Sequence, residues 1–104
     1  MEDIRIDVGV DTILQVDLSE IEFTEVEAII FTIKNILTIK AEPIVERRFL
    51  TAGVHDVIIT ALESSKLQDG AQYDFQKLLI NGTRIKITDN GNIKLRRAVG
   101  DKIN

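Results

Sequence analysis

His55 and Asp56 are the side chains of this sequence nearest to an acid–base pair, because a carboxylate beside an imidazole can orient it and hold its charged form. They are adjacent in a β-branched stretch, and neighbours on a strand point to opposite faces, so they cannot share a side-chain hydrogen bond. His55 is the sole histidine and the chain has no cysteine, which leaves no Ser-His-Asp or Cys-His set to assemble. The expectation is a solvated His55, no catalytic residues and no enzyme. A second candidate is Asp89-Asn90-Gly91-Asn92, oxygen side chains gathered in a turn. It lacks the further ligands and the closing Glu of a calcium loop, so an Asx-type turn without metal is expected. The acidic run Glu20, Glu22, Glu25 and Glu27 reads as a solvated edge. Stacking on sugars needs exposed aromatic rings. Strand parity assigns Phe31, Phe49, Tyr73 and Phe75 to the interior and leaves Phe23 as the one ring expected to be exposed. No cofactor is implied.

The elements that position these residues are strands. About a third of the 104 residues are Ile, Val or Thr, which are stiff at χ1 and fit a pleated surface. Ile4, Ile6, Val8 and Val10 alternate with Arg5, Asp7 and Gly9, and Leu14, Val16 and Leu18 repeat the pattern after Asp11-Thr12. Residues 24–37 carry two signals. Phe23, Val26, Ile30, Ile33 and Leu37 have near-helical spacing, with Thr24 to Glu27 as a potential capping box, but Ala28-Ile29-Ile30-Phe31-Thr32-Ile33 is almost wholly β-branched or aromatic. A strand is expected, with Ile29, Phe31 and Ile33 on one face and Ala28, Ile30 and Thr32 on the other. A further strand is read over 36–41. Pro43 cannot donate to a ladder and should open an edge strand over 44–50. Gly53 turns the chain into a strand over 54–59, and Thr60 with Glu63 marks the start of one or two helical turns. A long strand over 72–80 then meets Asn81-Gly82, which predicts a type I′ turn into a strand over 83–88 with Ile85 and Ile87 on one face. Asp89-Asn90-Gly91 predicts a second turn before a last strand over 92–99. Seven or eight short strands without a long helix predict an all-β fold, a single antiparallel sandwich domain over 1–104.

Asp69-Gly70-Ala71-Gln72-Tyr73-Asp74-Phe75 has the D-x-A-x-Y-x-Φ spacing found where immunoglobulin-like domains enter their penultimate strand. A chain passing between sheets leaves backbone groups unpaired. A Tyr there buries its ring while its hydroxyl bonds a main-chain group a few residues upstream. Asp69, Tyr73 and Phe75 are therefore the expected structural corner, with Phe75 packing on Ile29, Phe31 or Ile33 across the sandwich.

The order of features from Phe31-Thr32-Ile33-Lys34-Asn35, through Val57-Ile58-Ile59-Thr60 and Leu67-x-x-Gly70-x-x-Tyr73-Asp74-Phe75-Gln76, to Gly91-Asn92-Ile93-Lys94-Leu95 and Val99, resembles the immunoglobulin-like modules of tailed-phage virion proteins. Within these it is most similar to the N-terminal module of siphophage baseplate upper proteins, over roughly residues 12–99. The resemblance implies a non-enzymatic structural module of a phage or prophage virion, tail or baseplate associated, assembled as a symmetric oligomer through protein–protein contacts. Those proteins continue into a linker or receptor-binding part, which keeps host recognition outside what the resemblance implies. The alternative from another class is a ligand-binding β-sandwich module, for instance for cell-surface carbohydrate.

Charge narrows the partners. Thirteen Lys and Arg against 17 Asp and Glu give −4, which argues against nucleic acid. The opening Met-Glu-Asp-Ile-Arg lacks a signal-peptide pattern, and no apolar run is long enough for a bilayer. The expected setting is therefore a virion or the bacterial cytoplasm, with no membrane partner. Residues 1–46 carry eleven acids and three bases, while the rest carries ten bases and six acids. Two accounts remain open: acidic strands facing basic ones within the molecule, or opposite faces meeting between subunits. In Leu78-Leu79-Ile80 the alternation breaks, so Leu78 or Ile80 faces outward. Leu78, Ile80, Arg96 and Arg97 are the expected contact residues of a homo-oligomer or of a contact with other virion proteins.

Overall fold

The computed structural model describes residues 2–36 and 42–97. Among these residues eight strands and one short helix run in the order β1 (Ile4–Asp7), β2 (Thr12–Asp17), β3 (Val26–Lys34), β4 (Val45–Phe49), β5 (Val54–Ile59), α1 (Ala61–Ser65), β6 (Gln72–Leu79), β7 (Arg84–Lys86) and β8 (Gly91–Arg96). They form two sheets. The larger has the order β1-β8-β6-β3-β4, with β7 also pairing β6, and the smaller is the antiparallel pair β2-β5. Because β3 lies along the whole of one edge of β6, β8 and β7 share its other edge: β8 opposite Gln72 and Tyr73, β7 opposite Gln76, Lys77 and Leu78. The core lies between the sheets. It is built from Ile6, Ile29, Phe31, Ile33, Val45, Phe49, Tyr73 and Ile93 of the larger sheet against Val16, Val57 and Ile59 of the smaller. The fold is all-β and sandwich-like, but its larger sheet is mixed rather than antiparallel, because β1 pairs β8 in parallel.

The ambiguous segment is strand throughout β3, where χ1-stiff side chains outweigh the helical spacing. Ile29, Phe31 and Ile33 point into the core, and Ala28 and Ile30 on the other face are buried as well. β4 follows Pro43 and lies at the sheet edge, where a missing N–H costs nothing. The strand read over 36–41 falls on residues 37–41, and the end of the last strand at Val99 on residues beyond 97; both lie outside the described residues.

Four further expectations are corrected. The first strand ends at Asp7 rather than at residue 10, because Gly9 takes φ +84° and turns the chain, leaving Val10 49% exposed. The β6–β7 connection is not a type I′ turn. Leu79 N–H bonds Thr83 C=O at 2.8 Å and Gly82 N–H bonds Leu79 C=O at 2.9 Å, which makes a three-residue loop, with only Gly82 in the left-handed region. The returning strand is correspondingly short, and Ile85 is 45% exposed while Ile87 packs against the core. Gly91 is not a turn residue. It begins β8, directly opposite Tyr73, and a Cβ there would collide with the Tyr73 ring.

That collision yields a prediction. Gly91→Ala should cost about 1–3 kcal/mol, the range for overfilling a packed site, and much less in a Tyr73→Ala background. Urea unfolding of the two single variants and the double variant measures the coupling, and equal costs in both backgrounds would disprove it.

Candidate functional site

The polypeptide passes from the smaller sheet to the larger between β5 and β6, and several side chains fix that crossing. Thr60 caps α1: its hydroxyl accepts the Glu63 N–H at 3.1 Å and the Glu63 carboxylate accepts the Thr60 N–H at 3.0 Å. Ser64, fully buried, accepts the Gly9 N–H at 2.9 Å and donates to Ala61 C=O at 3.0 Å, which ties α1 to the β1–β2 turn. Asn35, at the end of β3, donates to Lys66 C=O at 2.9 Å and accepts Gln68 N–H at 2.8 Å. No role for Asn35 is expected from the sequence. The informative feature is a short amide following an apolar strand, which can serve a passing loop with both donor and acceptor.

Tyr73 follows this crossing as the second residue of β6. Its ring is buried, 5.9 Å from Phe31 and edge-on to Phe75 at 6.2 Å. Its hydroxyl donates to the backbone carbonyl of Glu2, 71 positions away. The upstream partner expected a few residues off is thus corrected. The parallel pairing of β1 with β8 brings the start of the chain beside the start of β6, so the acceptor comes from there. Burial, then the negative charges of Glu2 and Asp3, push the phenol above its ordinary pKa. Phe75 packs on the core, and its contact with Phe31 is made within the sheet. It is the register partner of Phe31 in the same sheet, with ring centroids 5.0 Å apart. Asp69 stands apart from the corner, its exposed carboxylate 3.4 Å from Arg97.

The residues considered for chemistry are dispersed. His55 Nε2 lies 2.8 Å from Thr51 C=O and its ring packs, tilted, at 5.0 Å from the Phe49 ring, so it is half-buried rather than freely solvated, while Asp56 is exposed on the opposite face. Asn90 accepts from Lys86 Nζ and donates to Gln72 Oε1 at 3.1 Å, holding the β7–β8 connection against β6. Among the described residues no three His, Asp or Glu side chains gather as metal ligands. Phe23 is half-buried against the core, not exposed, so none of the five aromatic rings stands free on a surface. No helix among the described residues is long and apolar enough to cross a membrane.

The four expected contact residues fall in two places. Leu78 faces outward beside Ala28, and Ile80, 71% exposed, borders a hollow of about 380 Å³ with Glu25, Leu79 and Asn81. Arg96 and Arg97 lie beyond the start of β6, roughly 35–40 Å away at the ~3.3 Å rise of a strand. Each has an intramolecular partner: Arg96 grips Asp7 at 2.7 and 3.0 Å, and Arg97 meets Asp69. The hydrogen bonds and charge of Arg96 hold Asp7 below the usual carboxylate range. Arg47 binds Glu63 at 2.6 Å. For Glu63, burial opposes ionisation, but the bonds from Arg47 and Thr60 outweigh it and lower the pKa.

Compared with protein-family models, curated proteins and solved structures, the chain matches none.

Two expected outcomes follow from these bonds. Tyr73→Phe should lose about 0.5–1.5 kcal/mol, one hydrogen bond's net worth. Because the folded phenol's pKa is raised, its contribution is whole below the ordinary tyrosine value of about 10 and is lost as pH rises through the folded value. As the sole tyrosine, its phenolate absorbance reports this titration directly, and denaturation midpoints above that pH should fall in the parent and stay flat in Tyr73→Phe. Glu63 works in the other direction. Its lowered pKa stabilises fully above about 4.3 and is lost as pH falls through the folded value, so Glu63→Gln should flatten part of the acid limb of a stability–pH curve.

Proposed function

We propose that this domain is a non-enzymatic structural or assembly module of a phage or prophage virion, tail or baseplate associated, acting through protein–protein contacts. The observation that carries the reading is where the unsatisfied apolar surface lies. Ile13 and Ile58, 70% and 51% exposed, face each other as a cross-strand pair on the outward face of the β2-β5 sheet, Val54, 54% exposed, lies further along that face, and Ile80 projects from the far end of β6. Large side chains left on flat sheet faces suit a contact with another protein, whereas a small ligand needs a concave site with converging polar groups. The immunoglobulin-like part of the reading is supported by the parallel β1–β8 pair, the β8-β6-β3-β4 succession, the two-stranded β2-β5 sheet and the buried Tyr73 at the entry to β6. The virion part rests on the resemblance of residues 12–99 to tailed-phage modules.

Particles induced from the encoding organism and purified through a density gradient test this reading. Quantitative mass spectrometry should find the chain in the particle band at a fixed ratio to the tail proteins. Its absence from the band, while it is abundant in the cell, would overturn the proposal.

A further inference from the structure

Where a sheet edge is left open, the chain usually guards it. β4 begins after Pro43 and carries Glu46, Arg47 and Arg48; β1 has four residues, with Arg5 and Asp7; β7 has three, two of them Arg84 and Lys86. β5 is partly covered, since Arg47 Nη2 donates to Ile58 C=O at 3.1 Å. β2 differs. It has six residues, its central Ile13-Leu14-Gln15-Val16 carries no charge, and it has neither proline nor bulge.

The backbone of β2 can be assigned residue by residue. Leu18 N–H bonds Gly53 C=O at 2.7 Å, and along an antiparallel ladder bonded and non-bonded pairs alternate. Val16·His55, Leu14·Val57 and Thr12·Ile59 are therefore the bonded pairs, while Asp17·Val54, Gln15·Asp56 and Ile13·Ile58 turn their N–H and C=O groups away from each other. Arg47 reaching Ile58 C=O from the far side agrees with this phase. Ile13, Gln15 and Asp17 thus direct three N–H and three C=O groups along an edge on which the described residues supply no backbone partner.

We infer that this edge pairs with β2 of a second copy, antiparallel about a twofold axis through Gln15. The sequence of β2 is self-complementary in that register. Gln15 faces Gln15 and each Ile13 faces the other copy's Asp17, so all three edge-directed residues of both strands bond. On the inner face the half-buried Leu14 lies beside the other copy's Val16. Sliding the strands by one step in one direction sets Asp11 opposite Asp17, two like charges, and sliding them in the other leaves Ile13 beyond the partner strand. A two-stranded sheet is marginal alone, and the pairing makes it four-stranded. The inference deepens the assembly reading and rests on it for its biological setting, but its argument is the edge itself.

The test uses the full chain with Gln15→Lys and Gln15→Cys. The parent should sediment at twice its 11.7 kDa mass. Gln15→Lys, which sets two ammonium groups face to face, should sediment as a single chain with an unchanged β circular dichroism spectrum. Gln15→Cys, in a chain with no other cysteine, should be joined into dimers by a short thiol cross-linker, and Arg84→Cys on β7 should not. Should Gln15→Lys fail to fold, the cross-linking decides. A monomeric parent overturns the inference, as does a dimer that survives Gln15→Lys, or a monomer whose Ile13, Gln15 and Asp17 amides resist hydrogen exchange because another part of the chain covers them. In each of these cases the virion reading still stands or falls by the particle band.

Discussion

The contact between Tyr73 and Gly91 decides more of this structure than its area suggests. The phenol lies where a side chain on β8 would otherwise stand, so β8 can run directly against the start of β6 only with glycine opposite. Its hydroxyl then takes the carbonyl of Glu2, just ahead of β1. β1 is a four-residue parallel strand at an edge, the weakest kind of pairing in the molecule. It nevertheless delivers Ile6, fully buried, to the core. The strand is held at its start by the phenol and at its end by the Asp7–Arg96 pair, which is open to water and screened by salt. Of the two, the buried phenol is the tie that survives high ionic strength.

β3 shows how the larger sheet closes its outward side without a second apolar layer. An antiparallel strand ordinarily keeps one face wet, yet β3 is buried on both. Its outward Ile30 lies between Arg48 of β4 and Gln76 of β6, whose long stems flank it, and the Thr32 hydroxyl donates to Asp74 at 2.5 Å. Arg84 and Lys86 continue this polar cover on β7. Among the described residues the smaller sheet has no such cover. Its outward residues are Ile13, Gln15, Asp17, Val54, Asp56 and Ile58, too short or too apolar to screen one another. The sandwich therefore has one finished face and one unfinished face.

What the sequence made legible was local. The β-branched run of β3, the capping pair of α1 and the spacing around Tyr73 are each set by residues within a few positions, and each names an element or a corner. What stayed hidden was pairing. Nothing in Phe75 distinguishes a partner across the sandwich from Phe31 in the next strand, because period-2 alternation gives the face and not the neighbour. The acceptor for Tyr73 lies 71 positions away and is a backbone carbonyl, which carries no side-chain signature. Gly91 follows Asp89-Asn90, so turn chemistry masked its steric role in β8. Asn81-Gly82 offered two residues suited to positive φ, and the chain used only Gly82 by adding Ile80 to the loop.

The charge imbalance between the halves of the chain is only partly settled within the molecule. Of the three ion pairs among the described residues, Asp7–Arg96 alone joins the acidic first part to the basic remainder; Arg47–Glu63 and Arg97–Asp69 lie wholly in the latter. The excess is distributed by sheet. Asp17 and Asp56 give the outward face of the smaller sheet two acids and no base, while Arg5, Arg48, Arg84, Lys86 and Lys94 exceed Glu46 and Asp74 on the larger. Packed sheets stand about 10 Å apart, and outward side chains are further apart still, beyond the ~8 Å over which physiological salt screens charge. Neither face neutralises the other, so an approaching molecule meets one sign or the other. Two copies joined along β2 by a twofold axis normal to the sheet present both acidic faces on one side and both basic faces on the opposite side. In such a pair the edge would supply the affinity, and the separated faces would select, by sign, what binds on each side.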